Sequence, residues 1–165
     1  MNSVITSMAG VIEQKPEAKV ELWATSEWLA FQTIEIDVFH RLNTRIYTTF
    51  AVDETDRQTL HGLNKYRRLY FTEPIAFSPY FQKLRPMSGF SEYGLWGYDI
   101  AIKFVGALIK QGPSFVRNID AYQPHLLQSN FKFRSLTNWG GAVNVGLKTI
   151  TFSPDGSVNV ANIDN

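Results

Sequence analysis

The hydrophobic period of this chain changes once, at Pro124. Before it, apolar residues recur at helical spacing in blocks separated by short β-branched and aromatic stretches. After it, they alternate with polar residues, the two-residue period of half-buried strands. Val4, Ile5, Met8, Val11 and Ile12 mark a first helix, which Pro16 stops near Lys15. Residues 20–24 read as a strand, with Val20, Leu22 and Ala24 on one side and Trp23 on the other. Thr25-Ser26 then offers an N-cap for a second helix from Glu27 to about Arg41. Residues 46–52 make a second strand. Asp53-Glu54-Thr55-Asp56 opens a third helix with Leu60, Leu63, Tyr66, Arg67 and Tyr70 on its packed side.

Glu73-Pro74 ends that helix, and residues 74–94, rich in Pro, Gly and aromatics, read as a long loop. Helical spacing resumes from Tyr98 through Ile102, Val105, Leu108 and Ile109, until Gly112-Pro113 stops it. A short helix follows through Phe115, Ile119 and Tyr122. Beyond Pro124, Phe131 and Phe133 alternate with Lys132 and Arg134, and Val143, Val145 and Leu147 alternate likewise, with Ile150 and Phe152 continuing the stretch. Ser153-Pro154-Asp155-Gly156 makes a turn in which Pro fixes one φ and Gly accepts the left-handed position; Val158 and Val160 return. The α-β-α-β-α front half predicts an α/β fold with a parallel sheet, flanking helices and right-handed crossovers, plus a C-terminal antiparallel hairpin. A leading helix with no strand before it needs more sheet than the chain supplies early, so the chain reads as part of something longer.

Composition narrows the function. With 165 residues, one domain is expected, and 44% hydrophobic with 19% charged residues describes a soluble globule. A net charge of +1 gives no basic field for a phosphate backbone, so nucleic acid is not an expected partner. The absence of Cys removes thiol nucleophiles, disulfides, iron–sulfur clusters and Cys-based zinc sites, while leaving the compartment open. No apolar run approaches the roughly 20 residues that cross a bilayer. Residues 1–10 hold no Lys or Arg and do not read as a signal peptide, so any export signal is expected outside this chain. No G-x-S-x-G elbow, Walker loop or G-x-G-x-x-G occurs, and His40, His61 and His125 are scattered. Neither an enzyme, a cofactor nor a metal site is expected.

Several motifs occur in a recognisable order: Trp23-Ala24-Thr25-Ser26-Glu27-Trp28, Tyr47-Thr48-Thr49-Phe50, Tyr66-Arg67-Arg68-Leu69-Tyr70 before Glu73-Pro74, Gly97-Tyr98-Asp99-Ile100, and Asn138-Trp139-Gly140-Gly141. In these the chain resembles the C-terminal part of type I periplasmic binding proteins, the branched-chain amino acid receptors. It is most similar to a Gram-negative subgroup of amino acid ABC transporter receptors in which a LysM peptidoglycan-binding segment often precedes the fold. The resemblance implies a non-catalytic, periplasmic or cell-envelope module that closes two α/β lobes on a small amino-acid-like ligand. It implies that residues 1–45 and 128–165 belong to the second lobe and residues 46–127 to the first. Residues 47–53 and 128–133 would then be hinge crossings. Transport components or peptidoglycan would be reached through segments outside this chain. One departure is the unusually long connection through Gln82-Lys83-Leu84-Arg85-Pro86-Met87-Ser88-Gly89-Phe90.

Thr25, Ser26 and Glu27 sit where a parallel strand hands over to a helix, the end at which open α/β sheets bind ligands. Free N–H groups there can hold a carboxylate and Glu27 an ammonium; ordinary capping explains the same three residues. Tyr98 and Asp99 are further candidates, Asp99 as an amine partner. A first-turn dipole role for Asp99 and a core role for Tyr98 are the plainer reading. Trp23, Trp28, Trp96 and Trp139 suit a stacking platform or, more simply, core and interface anchors. The alternative to a receptor is a cell-envelope interaction module without a ligand, whose open strand edges and exposed helix face would favour a homodimer.

Overall fold

A computed structural model describes residues 2–15, 17–30, 35–72, 74, 92–137 and 140–163. Six strands occur in chain order: β1 (Trp23–Thr25), β2 (Arg45–Thr48), β3 (Phe133–Ser135), β4 (Ala142–Asn144), β5 (Leu147–Phe152) and β6 (Val158–Ile163). Four form one sheet in the order β1-β2-β5-β6, while β3 and β4 pair separately. The class is α/β, as expected, but the sheet is mixed. Only β1 and β2 run parallel, and both the β2–β5 and β5–β6 pairs are antiparallel. The chain leaves β2 for a long helical excursion and re-enters the sheet from the opposite end, so no second parallel crossover forms.

Register explains the first core. Ala24 pairs with Ile46, Ile46 with Ile150, and Ile150 with Val160, so one cross-strand row carries four apolar side chains to one face. Phe39 and Phe152 join them with ring centroids 5.5 Å apart, and Trp28 and Leu29 pack alongside. Phe39 belongs to α2 (Ile36–Arg41), which packs beside α1 (Asn2–Gln14). Arg41 and Glu13 form an ion pair between those helices. The single helix expected from Glu27 to Arg41 is not continuous. A 3₁₀ turn (Ser26–Ala30) comes first, residues 31–34 lie outside the described residues, and Glu35 is extended at φ −70° and ψ 142° before α2 begins.

Between β2 and β5 a second cluster forms from Val52, Leu63, Leu95 and Leu127. Leu63 is carried by α3 (Arg57–Tyr70), whose N-cap is Asp56 accepting from the Thr59 amide, as the acidic cluster foretells. This helix stops at Phe71, which turns left-handed at φ 52°, before the expected Glu73-Pro74 stop. Glu73 and residues 75–91, including most of the expected loop and its long connection, lie outside the described residues. The next helix starts earlier than its spacing suggests, as α4 (Glu92–Ile100). It continues through a π-turn (Ala101–Val105) into α5 (Gly106–Gln111). Gly112 ends it, and a 3₁₀ segment (Gly112–Ala121) takes the place of the short helix.

The packed side of this composite helix also differs from expectation. Leu95, Asp99, Lys103 and Ala107, spaced by four, are buried, whereas Val105, Leu108 and Ile109 face outward. The hairpin forms as read: Gly156 takes φ 83° and its amide bonds the Ser153 carbonyl.

Candidate functional site

The junction between the two cores is built from two chain segments. Leaving β2, Thr48 bends the chain with its hydroxyl: Oγ1 donates to the Phe50 carbonyl at 2.8 Å and accepts from the Phe50 amide at 3.2 Å. Phe50 then pairs antiparallel with Ser129, and the Ala51 amide donates to the Gln128 carbonyl at 3.0 Å. Ala51 belongs to the sheet-side core and Val52, one residue on, to the other. The outgoing and returning segments therefore lie side by side where the two cores meet.

Two buried charged side chains pin these segments. Asp99, without exposed surface, accepts backbone N–H bonds from Leu127 at 2.8 Å, Gln128 at 3.0 Å and Ser129 at 2.8 Å. Lys148, on β5, donates from Nζ to the Ala51 carbonyl at 2.9 Å. Burial lowers the Lys148 pKa below the usual lysine range, and the charges of Asp99, Asp53 and Asp56 partly oppose that shift. A helix of the second core thus holds the returning segment, and a strand of the sheet holds the outgoing one. An acceptor of three adjacent amides and a buried ammonium are strong, directional restraints.

Asp99 lies at the eighth residue of α4, so the first-turn dipole role expected for it does not apply. Its carboxylate oxygens face the returning backbone. Tyr98 is 46% exposed and is not a core aromatic. Thr25, Ser26 and Glu27 stand together at the carboxyl end of the parallel pair: Thr25 is level with Tyr47, and the junction begins just beyond. The Thr25 hydroxyl donates to Glu27 Oε2 at 2.8 Å, and no side-chain cap from Thr25 or Ser26 is seen among the described residues. No described hydrogen bond, ion pair or ring contact joins this trio to Tyr98 or Asp99.

Trp23 is 60% exposed and tilts against Tyr47 at 5.5 Å, Trp28 packs on the first core, Trp96 is exposed, and Trp139 lies outside the described residues. His125 does meet a hydroxyl and a carboxylate. Thr59 Oγ1 lies 3.2 Å and Asp56 Oδ2 3.3 Å from its Nε2. Both contacts converge on one ring nitrogen, whereas a hydrolytic relay places nucleophile and orienting acid on different nitrogens. The Thr59 amide is the main cause that holds the Asp56 carboxyl below the ordinary range. The group reads as a helix cap with a histidine beside it.

Sequence reading missed Lys148 and Lys103. The strand phase set by Ile150 and Phe152, followed back two residues, places Lys148 inward and was the available signal. Lys103 sits in the π-turn, fully buried, with Nζ bonded to the Tyr122 carbonyl. Burial lowers its pKa and Asp120 opposes the shift. Comparison with protein-family models, curated proteins and solved structures gave no match. No described helix is long and apolar enough to cross a membrane.

Proposed function

We propose that the chain is a non-catalytic solute-binding module, part of a receptor-like protein of an amino acid ABC transport system in the periplasm or cell envelope. The ligand is small and amino-acid-like. The observation that carries this reading is the junction: two hydrophobic clusters are joined by a pair of antiparallel segments, the arrangement a two-part clamp needs to close on a solute. Thr25, Ser26 and Glu27 supply one wall. Glu27, held by the Thr25 hydroxyl, gives a carboxylate for a ligand ammonium, and the Ser26 hydroxyl gives a donor for a ligand carboxylate. Tyr98 is the second-wall candidate. Asp99 acts here on the backbone: its three amide bonds set the position of the returning segment, and with it the angle between the two parts.

Titration calorimetry of the chain against amino acids and short peptides tests the reading. It predicts heat for at least one zwitterionic ligand, lost in Glu27→Gln while the melting temperature is kept. Absence of heat across the panel, or an unchanged isotherm in Glu27→Gln, refutes it.

A further inference from the structure

α3 is rooted at one end only. Its buried residues, Thr59 and Leu63, lie in the first half, where Asp56 caps the helix. From Asn64 to Thr72 no residue is buried. This uncovered stretch is basic and apolar at once. Lys65, Arg67 and Arg68 stand in it, and residues 57–72 contain no Asp or Glu. Glu73, the next carboxylate along the chain, lies outside the described residues. Past the cations the helix ends in Leu69, Tyr70 and Phe71, all exposed. Phe71 is 92% exposed and takes φ 52°, its amide donating to the Arg67 carbonyl at 2.9 Å. Helix ends commonly give that left-handed position to Gly, and a bulky side chain is rare in it. Glycine would end the helix equally well, so the turn does not explain the ring. Arg67 and Arg68 complement the negative end of the helix dipole, which accounts for their sign but not for three exposed apolar side chains beside them.

We propose that this helix tip is a membrane-docking surface, whose partner is the anionic face of a lipid bilayer. Charge complementarity selects the partner. Lys65, Arg67 and Arg68 answer headgroup phosphates, while Leu69, Tyr70 and Phe71 enter the apolar boundary beneath them. The spacing fits: at 1.5 Å per residue, Phe71 lies roughly 5 Å beyond Arg68 along the helix, the depth at which interfacial apolar side chains bury. The long Lys and Arg stems reach back to the headgroups. Single-stranded nucleic acid, the other common polyanion, is held by stacking its bases on aromatic faces. Tyr66 and Tyr70 instead pack on each other with ring centroids 4.7 Å apart, and exposed Leu69 offers no such face. The ligand reading does not use this tip, since residues 25–27 and 98–99 lie on other elements, so either claim can fail without the other.

Co-sedimentation of the full chain with lipid vesicles tests it. Binding is expected to vesicles of phosphatidylcholine mixed with phosphatidylglycerol, not to pure phosphatidylcholine, and high salt should release it. Lys65→Gln combined with Arg68→Gln weakens binding about 25-fold, at about fivefold for each charge removed near the surface. Phe71→Gly takes away the ring and suits the left-handed position, so it weakens binding about tenfold while the melting temperature is kept or raised. Equal binding to uncharged vesicles, binding to neither kind, an affinity unmoved by these substitutions, or capture of a single-stranded oligonucleotide through Lys65 and Arg68 in place of vesicles overturns the proposal.

Discussion

Replacing Asp99 by Asn tests how the junction is held. Oδ1 takes the Leu127 amide, and Oδ2 takes those of Gln128 and Ser129. An Asn amide has one acceptor. Its better orientation keeps Gln128 and Ser129 and turns an NH₂ group toward the Leu127 N–H. One buried donor is then orphaned, which costs about 1–3 kcal/mol. The two surviving bonds fall from charge-assisted to neutral strength, about 1 kcal/mol each. The sum, about 3–5 kcal/mol, is a large share of the stability of an ordinary domain. Urea unfolding followed by circular dichroism should show a midpoint lowered by about 2 M, with faster amide exchange at residues 127–129. A loss under about 1 kcal/mol would mean that these three amides find other acceptors and that Asp99 does not hold the returning segment.

Three further outcomes follow from buried groups. Thr44 is fully buried with no partner for Oγ1 among the described residues, so Thr44→Val should leave stability unchanged or raise it by about 1 kcal/mol in urea unfolding. A side chain on Gly146 would place Cβ 2.0 Å from the Asn130 carbonyl oxygen, so Gly146→Ala should lower stability by about 3 kcal/mol, read as a depressed melting temperature. Lys103 has a folded pKa below its unfolded value, so the wild type gains stability as pH rises between the two. The stability difference between wild type and Lys103→Met should therefore move in favour of the wild type from pH 7 to pH 9.5; a gap independent of pH contradicts the burial of a charged ammonium.

What could be read beforehand was local. The Asp56 cap, the 153–156 turn and the β5–β6 pair depend on residues a few positions apart, and all three form. The sheet's mixed pairing depends on how residues 49–146 return, which no short window contains. The break in the second helix reflects the extended backbone at Glu35, in a stretch whose spacing alone looks helical. The apolar spacing that resumes at Tyr98 puts Asp99 in a first turn, whereas α4 already begins at Glu92 and runs through Gly94 and Gly97. The amides that donate to Asp99 lie 28–30 residues downstream and leave no mark nearby. Lys103 is hidden for the same reason: a lysine predicts solvent unless a distant carbonyl is known to await it. Lys148 differs in that the strand phase of Ile150 and Phe152 marks it as inward-facing.

The most direct measurement is an amide-resolved NMR titration of the chain with the amino acid that gives the strongest calorimetric signal. The proposed clamp predicts saturable shifts at residues 25–27 together with the junction segments 50–53 and 127–131. Saturating ligand that leaves those three stretches unmoved would contradict it.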